Sequence, residues 1–173
     1  EFKLLGKILT EKNGDQITVG EYPSFISFVI NNDNSIVVMY DNTNAQLIFN
    51  NMSNLYKMKK GKIHVNIMRS SKSTDFVSQN SKVSIEKRHS ALMNLSFDKG
   101  QDQFVTIEGE ATVKNELSSL SLRMIKQQKL FSTNIGQLIW SLANDFDFMI
   151  GLTEELEVLP LEKSPAKKVI PAI

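Results

Sequence analysis

The sequence predicts an α+β protein: a small, mostly antiparallel β-barrel with about three helices packed on it. Three observations carry that expectation. Residues 103–114 alternate, with Val105, Ile107, Gly109, Ala111 and Val113 facing one way and Thr106, Glu108, Glu110 and Thr112 the other. That is the period of a strand with one dry face and one wet face. Gly109 stands at its centre, where a glycine weakens a strand unless the chain bends or another backbone comes close. A bent strand is what a small barrel needs to turn a corner. The third observation is apolar residues at helical spacing, strongest in Ile135, Leu138, Ile139, Leu142 and Ala143.

The elements follow in order. Leu4, Leu5, Ile8 and Leu9 have helical spacing and end at the turn Asn13-Gly14-Asp15, although a strand fits them too. Gly20-Glu21-Tyr22-Pro23 turns into the run 24–30, which is rich in β-branched and aromatic residues. The polar stretch 31–34 then leads to a second such run, 35–40, so the two read as a β-hairpin. Asp41, Asn42 and Thr43 offer helix caps, and Ala45, Ile48, Met52, Leu55 and Tyr56 predict an amphipathic helix. Lys57, Lys59 and Lys60 would occupy its last turn, with Gly61 as the stop. Strands are expected at 62–68, around 76–77 and 83–87, at 91–97 and at 103–114, giving about seven in all. Asn115-Glu116 would open a helix through Leu117, Leu120 and Met124, and Thr133 would cap the next one. Phe146, Phe148, Ile150 and Leu152 alternate as a returning strand. Residues 1–161 read as a single domain, and 162–173, with Pro165, Pro171, Lys167 and Lys168, as an extended tail.

Composition narrows the function classes. The chain has 173 residues and a net charge of +1, from 20 basic and 19 acidic residues, so no global field steers it to nucleic acid or to a membrane. It has no cysteine, which excludes disulfides, thiolate nucleophiles and cysteine-ligated zinc or iron–sulfur sites. No apolar run reaches the ~18 residues of a membrane-spanning helix. No secretory signal is visible, and a cytoplasmic location is expected.

Motifs for chemistry are sparse, and no catalytic residue is assigned. There is no Gly-x-Ser-x-Gly, no Gly-x-Gly and no His-Glu-x-x-His, and the only histidines are His64 and His89. Both read as polar surface residues, and no metal site is expected. Glu108, Glu110, Asp145 and Asp147 could line one face if their strands are neighbours, but they fit the solvated side of a sheet. Lys57, Lys59, Lys60 and Lys62 are the densest cationic group. They read either as favourable charge at a helix C-terminus or as an anion site. Only Tyr56 interleaves an aromatic ring with them, against the pattern of nucleic-acid binding. Trp140, the only tryptophan, is expected in core packing or at a partner interface.

Four stretches resemble the flavin-binding split-barrel family related to pyridoxamine-phosphate oxidase. They are Gly-Glu-Tyr-Pro-Ser-Phe-Ile-Ser-Phe at 20–28, the strand and expected helix over 35–51, Gly-Lys-Ile-His-Val-Asn-Ile at 61–67, and Val-Thr-Ile-Glu-Gly-Glu-Ala-Thr-Val at 105–113. The resemblance covers about residues 20–115. It implies a split-barrel fold, a homodimer, FMN as cofactor and oxidoreductase activity. A phosphorylated ligand would contact Tyr40, Thr43, Asn44, Lys62 and His64. The segment 40–46, where that family holds the flavin phosphate, has Thr43, Asn44 and Gln46 but no Arg or Lys. The alternative expectation is a non-enzymatic structural or adaptor protein that acts through protein–protein contacts. It draws on the missing catalytic constellation, the near-neutral charge and the segment around Trp140.

Overall fold

The computed structural model describes residues 14, 16–21, 24–30 and 34–149. Within them the chain forms twelve strands and a short 3₁₀ helix, Asp145–Met149. The strands are β1 Gln16–Thr18, β2 Phe25–Ile30, β3 Ser35–Tyr40, β4 Asn44–Phe49, β5 Ser53–Ile67 and β6 Ser73–Val77. The rest are β7 Ser81–Ile85, β8 Ala91–Phe97, β9 Gln101–Asn115, β10 Ser121–Ile125, β11 Gln128–Thr133 and β12 Leu138–Leu142. The hairpin β2–β3 and the strands β6, β7, β8 and β9 fall where the sequence places them.

Two long strands, β5 and β9, organise everything else. The first half of β5 belongs to one sheet, in the order β1-β4-β5-β6-β7-β9-β10. Its second half belongs to another, β2-β3-β5-β8-β9-β11-β12. Strand β9 makes the same change in the opposite sense. The circuit β5-β6-β7-β9-β8 therefore closes into a five-stranded barrel, in which only β5–β6 is parallel. Each long strand changes sheets at a glycine with positive φ, Gly61 at 120° and Gly109 at 78°. Strand β5 carries β3 and β4 as an outer wing, and β9 carries β10 and the pair β11–β12.

The helices expected over 45–56, from Asn115 and from Thr133 are replaced by strands and turns. The apolar residues of 45–56 mimic a helical period across a hairpin. Ala45 and Leu47 on β4 and Tyr56 and Met58 on β5 point inward and are buried. Between them Asn50 accepts through Oδ1 from the N–H groups of Met52 and Ser53, closing the turn. The helix expected from Asn115 is a tight turn followed by β10, and the one expected from Thr133 is a turn followed by β12. The strand expected at 146–152 is the 3₁₀ helix as far as Met149. The segments 1–13 and 150–173, with the first expected helix and the tail, lie outside the described residues.

The barrel core is apolar and continuous, with Tyr56 stacked on Phe76 at 4.8 Å and Phe97 edge-on to Phe104 at 5.6 Å. One barrel end is closed by a polar knot around Asp102, which is fully buried. Its carboxylate accepts from Ser78 Oγ at 2.5 Å, from the Asp98 N–H at 3.1 Å and from Asn80 Nδ2 at 3.5 Å. The knot ties the β6–β7 turn to the β8–β9 turn. Burial pushes the Asp102 carboxyl above its ordinary range, and these hydrogen bonds pull it only partly back. The native state thus holds the Asp102 proton more tightly than the unfolded chain does. Stability is lost as pH rises from the unfolded carboxyl's range through the raised native one, and the penalty persists above it. Asp102→Asn removes that titration while keeping the shape. Its melting temperature relative to wild type is expected to climb between pH 4 and pH 7, ending level or higher. A variant that falls further behind as pH rises would show that the ionised carboxylate is stabilising.

Candidate interaction surface

Four of the five residues expected to hold a ligand lie at one corner of the second sheet, and the fifth, Asn44, opens β4 in the first. Tyr40 ends β3 and is buried. Thr43 is buried in the turn to β4, where its hydroxyl accepts from the Lys62 N–H at 3.1 Å and donates to the Lys62 carbonyl at 3.2 Å. The hydroxyl thus bridges β5 beside the Gly61 bend, where β3 gives way to β4 as its partner. Asn44 turns the other way and donates from Nδ2 to Thr18 Oγ1 at 3.3 Å. Lys62 and His64 share the outer face of β5. His64 Nδ1 donates to Asn94 Oδ1 at 2.6 Å. So four of the five share a neighbourhood and Asn44 points away from it. The hydroxyl of Thr43 and the Nδ1 of His64 already serve neighbouring strands. Of the motifs behind the flavin likeness, the Gly109 strand is present and the helix after Ser35–Tyr40 is replaced by β4 and β5.

The remaining candidates are dispersed. Glu110 pairs with Arg123 and with His89 Nε2 at 2.9 Å, and Glu108 with Lys126 at 2.8 Å. The Arg123 guanidinium holds the Glu110 carboxyl below its usual range. Asp147 is bonded instead to Lys129 on β11 and Asn94 on β8, so it does not share partners with Glu108 or Glu110. Lys57, Lys59 and Lys60 are exposed on β5, with no helix end to complement. No His, Asp and Glu group able to hold a metal occurs among the described residues. No helix among them is long and apolar enough to cross a membrane.

The feature without an internal explanation is the far edge of the second sheet. Strand β12 pairs with β11 alone among the described residues. After it the chain folds back over the outer face of that sheet. There Asp147 accepts from Lys129 Nζ at 2.7 Å, and its carbonyl accepts from Asn94 Nδ2 at 2.9 Å. These bonds anchor the 3₁₀ helix and leave β12 outermost. Ile139 is 48% exposed, Trp140 50%, Leu142 72% and Phe146, just beyond, 74%. No charged residue occurs between Lys129 and Asp145. Edge strands are normally protected by charge, proline or brevity. Here β10 carries Arg123 and β1 has three residues, whereas β12 has no such device, and neither does β2 at the other edge of the same sheet. The expectation for Trp140 as core or interface resolves toward the surface. Ile139 and Leu142, read as a buried helix face, were missed as surface residues, and the uncharged stretch 130–144 is the signal that could have exposed them.

Fold and surface together define a closed five-stranded β-barrel with outer wings and, at β12, an apolar, uncharged edge. No protein-family model matches the chain, and no curated protein does. Among solved structures, two crystal structures described as a "putative anti-sigma factor" from Parabacteroides distasonis share the fold. One aligns with a TM-score of 0.66 at 14% identity over 82% of this chain and 65% of that one. The other aligns with a TM-score of 0.66 at 16% identity, over 91% and 71% respectively. The chain thus spans about two thirds of the first neighbour's length, and at these identities the likeness is one of fold.

Proposed function

We propose that this chain is a non-enzymatic interaction module that recruits a protein partner by strand addition at β12. The observation that carries the reading is the half-exposed, uncharged edge formed by Ile139, Trp140 and Leu142. An extended segment laid on such an edge gains main-chain hydrogen bonds, and the apolar side chains supply affinity. The fold likeness to proteins described as anti-sigma factors supports a binding role over a catalytic one, because no constellation for chemistry accompanies it among the described residues.

Photo-crosslinking tests the reading. A benzophenone amino acid at position 142, in the full chain and in its native cells, is expected to give discrete protein adducts. The same group at the exposed Lys87, in the turn between β7 and β8, is expected to give few. No adduct from position 142, or equal adducts from both positions, would overturn the assignment.

A further inference from the structure

We infer that the strand received at this edge is β12 of a second copy of the chain, paired antiparallel about a two-fold axis at Trp140. The inference rests on the interaction reading above and names its partner.

Backbone parity comes first. Thr133 N–H donates to the Gln137 carbonyl at 3.0 Å, and Ala143 N–H donates to the Gln127 carbonyl at 2.9 Å. Odd-numbered residues of this strand therefore direct their N–H and C=O groups toward β11. In an antiparallel ladder successive residues alternate sides. Leu138, Trp140 and Leu142 thus present their backbone groups outward, at the open edge.

Sequence symmetry comes second. A two-fold contact is isologous: wherever residue i meets residue j, j must meet i. The strand Leu-Ile-Trp-Ser-Leu is a palindrome in its outward-bonding positions. With the axis at Trp140, Leu138 lies opposite Leu142 of the copy, and Trp140 opposite Trp140. All three residues then exchange both backbone bonds with their counterparts. Their large apolar side chains share one face of the joined sheet, where cross-strand aromatic and aliphatic pairs stabilise the ladder. A shift of one residue would set apolar side chains against the opposite face, so the palindrome also fixes the register.

Charge comes third. Self-pairing brings each residue against its own kind, and any charge near the axis would meet its like. The segment between Lys129 and Asp145 has none. A partner recognised through opposite charge would find nothing to read here. As far as Met149 the chain returns across the outer face, tied down at Asp147, and not along the edge.

The absence of cysteine from these 173 residues makes the test direct. Light scattering of the full chain is expected to give a dimer. Trp140→Lys, which sets two ammonium groups across the axis at a half-exposed site, is expected to weaken dimerisation on the order of 100-fold, with unchanged circular dichroism. Register is read by oxidising single-cysteine variants. Trp140→Cys places the two thiols on residues about 5.5 Å apart at Cα, within disulfide range. Ile139→Cys and Ser141→Cys place theirs diagonally, about 7–8 Å apart, and are expected to link poorly. A monomeric wild type, or a dimer that survives Trp140→Lys, overturns the inference. If the monomer still gives adducts with other proteins from position 142, self-pairing falls and the interaction module stands. If it gives none, both fall.

Discussion

Replacing Gly109 by alanine is expected to remove a large part of the protein's stability, on the order of 3–5 kcal/mol, against a typical total of about 5–15 kcal/mol. Two causes act together. At φ 78° any side chain is strained, by roughly 1–2 kcal/mol. The added Cβ would also stand 2.0 Å from the Ser90 carbonyl oxygen and 2.9 Å from the Ala91 Cα. Both are backbone atoms at the start of β8, so relief requires moving a barrel strand. It would break the bond that Glu110 N–H donates to the Ser90 carbonyl at 3.1 Å. Gly61 is its counterpart, with φ 120° and a Cβ that would meet the Thr43 Cα at 2.5 Å. Gly14 supplies the control: its φ is 91°, but nothing lies within 4 Å of the added atom. Gly14→Ala should therefore cost only the conformational strain, about 1–2 kcal/mol. Urea midpoints of the three variants, compared at equal slope, check the ranking. If Gly109→Ala melts no earlier than Gly14→Ala, the claim that these bends fix the barrel corners is wrong.

These bends are also where the sequence was most informative. The alternation identifies the strand and its glycine, but not a single dry face: Phe104 and Thr106 are buried before the bend and Ala111 and Val113 after it, so the inward parity switches at Gly109. Gly61 carried the same message, but Lys57, Lys59 and Lys60 before it imitate the end of a helix. The misread helices share one property. Strand β4 and the start of β5 are joined by the turn Asn50–Met52, and the apolar residues at helical spacing there share no face: Ala45 and Tyr56 are buried, Ile48 and Leu55 are only partly so, and Met52 is exposed. In β12 the imitation has a deeper cause. An outermost strand that is apolar on both faces has no two-residue period, so Leu138, Ile139 and Leu142 satisfy a helical template by default. The feature that hid the strand is the feature that marks it as a surface. What no periodicity could show is the pairing of distant segments. Asp102 meets Ser78, and Asn94 meets Asp147, through side chains that local spacing does not connect.

Asn115→Ala is expected to cost about 2–4 kcal/mol, because it strips partners from buried polar groups at the closed end of the barrel. Asn115 is fully buried at the end of β9. Its Nδ2 donates to Ser132 Oγ and to the Thr133 carbonyl, each at 2.9 Å. Its Oδ1 accepts from the Leu117 and Ser118 N–H groups at 3.0 and 3.1 Å. The Thr133 carbonyl can only accept, which fixes the orientation of the amide. The turn at 116–120 is exposed, so water can replace the lost acceptor there, whereas Ser132 and Thr133 are buried and have no such substitute. Asn115→Asp separates the two halves of the role. It keeps the acceptor for the turn but aims a carboxylate at a carbonyl oxygen, and burial raises its pKa. Its cost should therefore be greatest at neutral pH and shrink as acid restores an O–H donor, while that of the alanine variant stays flat. The consequence reaches the proposed interface, because Thr133 Oγ1 accepts from the Gln137 N–H at 3.0 Å and so sets the turn into β12. Amide exchange at Gln137 should quicken in both variants at pH 7. Protection left unchanged there would mean that β12 is held by its ladder with β11 alone, and that the knot at Asn115 has no part in presenting the edge.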